Sequence, residues 1–291
     1  MKTYYAEHLF KVMNALGEGP LWHPAEKKLY WTDILTGTLY RTNTDLTSYE
    51  KTFLDIQVGA FAFRKSGGMI LASDHGFMEW TFEDHQIAYL WNPLIGRNAP
   101  RFNDGKVDPA GRFWAGSLDP QHQKAKLYRL DPDGGHHTIL NDIGISNGLD
   151  WRPDHKRMYY TDSYQYTIYE FDYDLKSGNI THQKPFIVLP KDEREIVPDG
   201  LCVDAEGFIW SAQWNGWRIV RYNPQGEPVA IVKVPAQRVT SCCFGGENLD
   251  LLLITTSRAD LSDDALSNQP QAGDVFICKV PVQGQETNLF G

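Results

Sequence analysis

Residues 147–162, NGLDWRPDHKRMYYTD, read as two strands folded about one turn. An alternating apolar run leads into Arg-Pro-Asp-His, and a second run rich in Met, Tyr and Thr leads out, which is a hairpin pattern. Five further stretches repeat the plan. They are EGPLWHPAEKKLYWTD (18–33), GAFAFRKSGGMILASD (59–74), NDGKVDPAGRFWAGS (103–117), DGLCVDAEGFIWSAQ (199–213) and TSCCFGGENLDLLLITTS (240–257). A third strand follows most hairpins, as in LYRTN (39–43), LYRLD (127–131) and IYEFD (168–172). A fourth follows in most, as in YEKTFL, QIAYL, HHTIL, PFIVL and VAIVKV.

Six units over 291 residues give roughly 48 residues each, which is the range of propeller blades. Long apolar patterns of period 3.6 are missing, so few helices are expected. The reading is an all-β, six-bladed β-propeller with four antiparallel strands per blade, spanning 1–291 as one domain. A two-domain β-sandwich is the runner-up, but a sandwich has no reason to repeat one hairpin six times. The sixth unit lacks its fourth strand, because only PVQGQETNLFG remains. The N-terminal TYYAEHLFKV is expected to supply it, pairing chain start with chain end and removing an exposed edge.

Glu18, Asn103, Asn147 and Asp199 hold one slot of the repeat, each five residues before its turn. In a closed ring such positions meet at one mouth of the channel, together with Gly59 and Thr240. Two carboxylates and two amide oxygens there form a hard-oxygen site for a divalent cation. Asn103 has an alternative, a hydrogen bond to substrate or to a neighbouring strand. Arg101 shares the face of Asn103 by period 2. The ends of the second strands are expected to bring Asp33, Asp74 and His75, Asp119, Asp162 to Tyr164, Gln213 and Trp214, and Ser257 and Arg258 to the same rim. Tyr164 and Trp214 are candidate stacking walls. The hairpin turns lie on the opposite face and are expected to be inert.

The formal charge is −9 with no basic cluster, so nucleic acid and anionic membrane are not expected partners. No apolar stretch is long enough to span a bilayer, and no signal peptide is visible at the start. Cys202, Cys242, Cys243 and Cys278 have no metal or redox spacing and read as buried hydrophobes in a reducing, cytoplasmic compartment. The histidines, His122 among them, fall in outer strands or turns, with His75 alone on the active face. No HExxH pair or nucleophile elbow appears, which argues against a His-rich zinc site or a serine hydrolase.

Four stretches, LGEGPLWHPAEKKLYWTDI, NAPRFNDGKVDPAGRFWAGS, ISNGLDWRPDHKRMYYTDS and VPDGLCVDAEGFIWSA, resemble in order the signatures of one family. It is the regucalcin-like family of senescence marker protein 30, gluconolactonase and luciferin-regenerating enzyme, and the likeness covers about the full chain. The resemblance implies a six-bladed propeller and a divalent metal at Glu18, Asn147 and Asp199. It also implies substrate contacts from Arg101 and Asn103, and a catalytic role for Asp199. After the third hairpin the chain reads SLDPQHQK where some members carry Thr-Met and a substrate-binding Glu; Gln121 and the nearby Asp119 are the candidate replacements. The implied activity is hydrolysis of a sugar lactone to its aldonic acid, with calcium, magnesium, manganese, zinc or ferrous iron as cofactor. The expected partner is the small-molecule lactone alone, in a monomer or weak homo-oligomer. Alternatives are a phosphotriesterase-like hydrolase on the same metal and a calcium-binding regulatory propeller.

Overall fold

The structure, a computed structural model, describes residues 1–96 and 101–291; Asn98, Ala99 and Pro100 of the second signature lie outside the described residues. It is a six-bladed β-propeller. The inner strands are Gly17–His23, Val58–Phe63, Phe102–Val107, Ser146–Trp151, Val197–Val203 and Arg238–Gly245. Each starts a sheet whose next strands follow outward in chain order. Helix among the described residues is confined to a turn at Ser163–Gln165 and to Asp263–Asn268.

The N-terminus closes the ring, with one refinement on the sequence reading. Only Glu7–Phe10 is the missing fourth strand of blade six, antiparallel to Val275–Lys279. Lys2–Tyr5 turns away and pairs in parallel with Pro228–Lys233, so blade five has a fifth strand. Asp274 pins the segment: Oδ1 accepts the amides of Val12 and Met13 at 2.9 and 3.0 Å, and Oδ2 meets His8 Nε2 at 2.8 Å. Phe10 is buried and stacks toward Trp31 of blade one, 6.3 Å between centroids.

Alternating side chains of neighbouring blades interdigitate, and Trp31, Trp80, Trp114, Trp151 and Trp210 are wholly buried. Buried aromatic rings of this size dominate core energetics. Two are also locked by the turns, since Asp108 Oδ2 accepts Trp114 Nε1 at 3.0 Å and Asp204 Oδ2 accepts Trp210 Nε1 at 2.9 Å. The Asp of these turns therefore has a structural task. All four cysteines are free and buried.

The C-terminal tail crosses the mouth opposite the slot. Gln285 Nε2 donates to the carbonyls of Trp151 and Val203, Thr287 Oγ1 to Trp22 and Asn288 Nδ2 to Val107. The Phe290 amide bonds to Phe63 and the Gly284 amide to Leu249. The tail thus ties all six blades together at that end.

One local device aims the slot. In every blade the pairing of inner and second strands breaks register at the slot, between Glu18 and Leu21, Val58 and Ala60, Phe102 and Gly105, Ser146 and Leu149, Pro198 and Leu201, and Val239 and Ser241. A bulge re-aims a side chain, here into the channel. Blades approach closely at this level: a Cβ on Gly59 would sit 2.3 Å from the Phe102 carbonyl oxygen, and one on Gly148 2.3 Å from the Leu201 nitrogen.

Candidate active site

Glu18, Arg101, Asn103, Asn147 and Asp199 all line one cavity of about 440 Å³ at the slot mouth. Of the remaining sequence candidates, Asp119 and Gln121 do not line it. Asp119 is turned into its own loop, where Oδ1 accepts the His122 amide at 3.1 Å and meets His122 Nδ1 at 3.1 Å. Gln121 is exposed. His122 lies in the turn that follows the strand Phe113–Ser117 at its slot end, so it stands on the face where His75 alone was expected.

Asn147 and Asp199 are nearly fully buried, and their Oδ1 atoms have no hydrogen-bond partner. The reason for the Asn147 orientation is local. Its Nδ2 donates to Ser163 Oγ at 3.0 Å, and that hydroxyl donates to the Pro198 carbonyl at 2.6 Å. The amide nitrogen is thereby held, and the amide oxygen is left facing the cavity. Buried polar atoms are seldom left unpaired. Glu18 stands in the same ring, with Oε2 accepting the Gly19 amide at 3.1 Å.

Electrostatics point the same way. Burial first, and then repulsion from Asp199 and Asp104, push the Glu18 carboxyl well above the usual range. Burial and Asp104 do the same to Asp199, against weaker help from the Asn147 amide, the Gly200 amide and Arg101. Two orphaned oxygens beside two carboxylates short of positive charge fit a divalent cation with oxygen ligands. Among the described residues no three His, Cys, Asp or Glu side chains cluster as a metal site; the oxygen-bearing candidates here are the two carboxylates and the Asn147 amide.

Asn103 is committed elsewhere. Its Nδ2 donates to the Ser146 carbonyl of blade four at 2.8 Å, and its Oδ1 accepts Arg101 Nη1 at 2.7 Å. The bond to the neighbouring strand is therefore the one that forms, and Asn103 also holds Arg101 against the cavity. Burial lowers the Arg101 pKa to about 10, opposed by Glu18, Asp74 and Asp199; the side chain stays charged at neutral pH.

Three rim aspartates prove structural. Asp33 accepts the amides of Ala15 and Leu16, Asp74 that of Gln57, and Asp162 those of Gly144, Ile145 and Tyr164. Each clamps the entry into its own blade's inner strand. Tyr164 does not line the cavity, whereas Trp214 does. Ser163 lines the cavity as its place in 162–164 implies, but its hold on Asn147 has no mark in the sequence, and the apolar wall residues Leu16, Leu118, Ile145 and Val197 are additions to the sequence candidates. A signal was available: Leu16, Ile145 and Val197 stand two residues before their slots, as Arg101 does.

Residues 16–258 match the family model described as SMP-30/Gluconolactonase/LRE-like region. A regucalcin of Oryctolagus cuniculus is 38% identical over 268 residues, 89% of each chain. The solved structure of a regucalcin from Agrobacterium tumefaciens, described as a calcium-binding protein, superposes with a TM-score of 0.93 at 26% identity, covering 100% of this chain and 98% of the other. A gluconolactonase from Xanthomonas campestris shares the fold at a TM-score of 0.74 and 20% identity, covering 94% of this chain and 89% of the other. With a propeller of this build and a family model matched over most of its length, the chain belongs to the SMP-30/gluconolactonase/LRE-like family.

Proposed function

We propose that the protein is a metal-dependent hydrolase that opens a sugar lactone to its aldonic acid. The observation that carries this reading is the pair of partnerless buried oxygens, Asn147 Oδ1 and Asp199 Oδ1, set beside Glu18 in a solvent-accessible cavity. Family membership supports lactone chemistry, and the calcium-binding description of the Agrobacterium tumefaciens relative supports a divalent cation.

Glu18, Asn147 and Asp199 would hold the cation. When bound, it supplies Lewis-acid polarisation of the lactone carbonyl and favours ionisation of a water. Asp199 takes the proton of the attacking water. The same proton is then available to the ring oxygen as the acyl C–O bond breaks. Arg101, braced by Asn103 and the Phe102 carbonyl, presents a fixed positive charge to the substrate's oxygens. Asp119 and Gln121 remain candidates for substrate contact only if their loop changes shape, since neither lines the cavity.

The test is acid release from D-glucono-1,5-lactone and other aldonolactones, read with a pH indicator, with chelator present and with single metals restored. Turnover should vanish on chelation and return with metal. Asp199→Asn should lower kcat by at least a hundredfold while the circular dichroism stays that of the parent. Near-normal hydrolysis by Asp199→Asn, or by chelated protein, would overturn the assignment.

A further inference from the structure

Among the described residues, the lining of the cavity away from Glu18, Asn103, Asn147, Ser163 and Asp199 is mostly apolar. Above Glu18, Asn147 and Asp199 the described wall is made of Leu16, Leu35, Leu118, Ile145, Val197 and Trp214, with Arg101 as the charged exception. Trp214 is held in that wall by Arg238, whose guanidinium carbon lies 4.7 Å from the ring centroid. Asp260 stands at the rim, but its carboxylate is almost wholly in solvent and faces Arg238 at 3.7 Å. The wall is also built in register: Leu16, Ile145 and Val197 occupy equivalent positions of blades one, four and five, each two residues before a polar slot residue.

A lactone that sets its carbonyl on the polar floor turns its far end toward this wall. A fully hydroxylated sugar lactone would bring hydroxyls against leucine, isoleucine and valine, stripping them of water without offering partners. A methyl or short alkyl group would instead gain contact with the same side chains. Resting on the lactonase reading, we propose that the preferred substrate is a lactone with an apolar substituent at the end of the molecule remote from the carbonyl, as in a deoxy-sugar lactone, and that Ile145, Val197 and Leu118 select it. An apolar pocket disfavours an added hydroxyl by roughly ten- to a hundredfold.

The test uses matched pairs that differ by one oxygen: L-rhamnono-1,4-lactone against L-mannono-1,4-lactone, and D-fucono-1,4-lactone against D-galactono-1,4-lactone. In the metal-loaded protein, kcat/KM should favour the deoxy member of each pair at least about tenfold. Val197→Thr and Ile145→Thr each add a hydroxyl to the wall and should narrow that ratio while leaving metal affinity unchanged. Equal or better turnover of the hydroxylated members, or an unchanged ratio in both variants, overturns the proposal and leaves the lactonase reading standing. Failure of every lactone with every metal sinks the lactonase reading itself. Calorimetric binding of the matched ring ethers, which lack the scissile bond, then decides the wall: a preference for the deoxy ether upholds the selection, and equal affinity overturns it.

Discussion

Ser163→Ala separates a designed cation site from a chance gathering of oxygens. The hydroxyl accepts Asn147 Nδ2 at 3.0 Å and donates to the Pro198 carbonyl at 2.6 Å, with all three groups buried. Removing it strands one donor and one acceptor. Each stranded group costs about 1–3 kcal/mol, so the metal-free variant should lose about 2–6 kcal/mol of unfolding free energy. A loss in the lower half of that range leaves a domain of ordinary stability folded. The second effect falls on the cation. Without its anchor the Asn147 amide can rotate and offer hydrogens where an oxygen is needed, and the loss of such an outer partner weakens metal affinity about ten- to a hundredfold. The assay is calorimetric titration of calcium into chelator-stripped protein, with urea unfolding of the same samples to measure the first effect. A variant that loses the expected stability yet binds calcium within twofold of the parent would show that Asn147 is not a ligand.

Three further outcomes follow from the same structure. Lys106 Nζ meets Asp150 Oδ2 at 2.7 Å inside the channel; Lys106→Met should cost about 3 kcal/mol, the low end for breaking a buried pair, because Asp150 keeps the amides of Trp151 and Val203. Urea unfolding checks it, and a loss under 1 kcal/mol would show the pair to be solvated. Phe10→Ala should cost about 3 kcal/mol and loosen ring closure, seen as faster hydrogen exchange in Glu7–Phe10 and Val275–Lys279 before any other blade; uniform acceleration would refute it. The pH dependence has a definite sign. Burial raises Asp104 to about 6 and lifts Glu18 and Asp199 well above the usual range in metal-free protein. The folded state therefore keeps protons that the unfolded chain releases, and stability falls as pH rises from about 4 through 6 and beyond. Asp199→Asn should raise the Tm of stripped protein at pH 8 and leave it nearly unchanged at pH 5, whereas equal shifts at both would contradict the raised pKa.

Much of this was legible in the chain because strands and turns leave local marks. Six hairpins with period-2 alternation and marked turns define six blades, and the missing fourth strand in the last of them pointed to the N-terminus. That Glu18, Asn147 and Asp199 share one cavity could be read because the ring converts equal spacing into proximity. What was not legible depends on backbone partners. The split between Lys2–Tyr5 and Glu7–Phe10, and the tail that crosses the far mouth, are settled by carbonyls and amides that carry no residue code. Asp33, Asp74 and Asp162 were placed at the correct end, but their oxygens are spent on backbone amides of their own blades. Asp119 was assigned by its offset in a loop, and a loop carries no periodicity to fix where a side chain points; it bonds to His122 instead.

The charges along the channel supply a second argument for the proposed cation. Asp260 and Glu286 stand at the two mouths with their carboxylates in water. Between them, four carboxylates line the described cavities, those of Glu18, Asp104, Asp150 and Asp199, against two cations, Arg101 and Lys106. Two negative charges are left over, on the same end as the orphaned oxygens, since Lys106 is bound to Asp150 lower down. Buried charge left uncompensated is costly and is relieved by taking up protons or a counter-ion. The upward pKa shifts of Glu18, Asp104 and Asp199 are the proton form of that relief. A single divalent cation would be the other form, and it would satisfy Asn147 Oδ1 and Asp199 Oδ1 at the same time, which protons on the carboxylates cannot do for the amide oxygen.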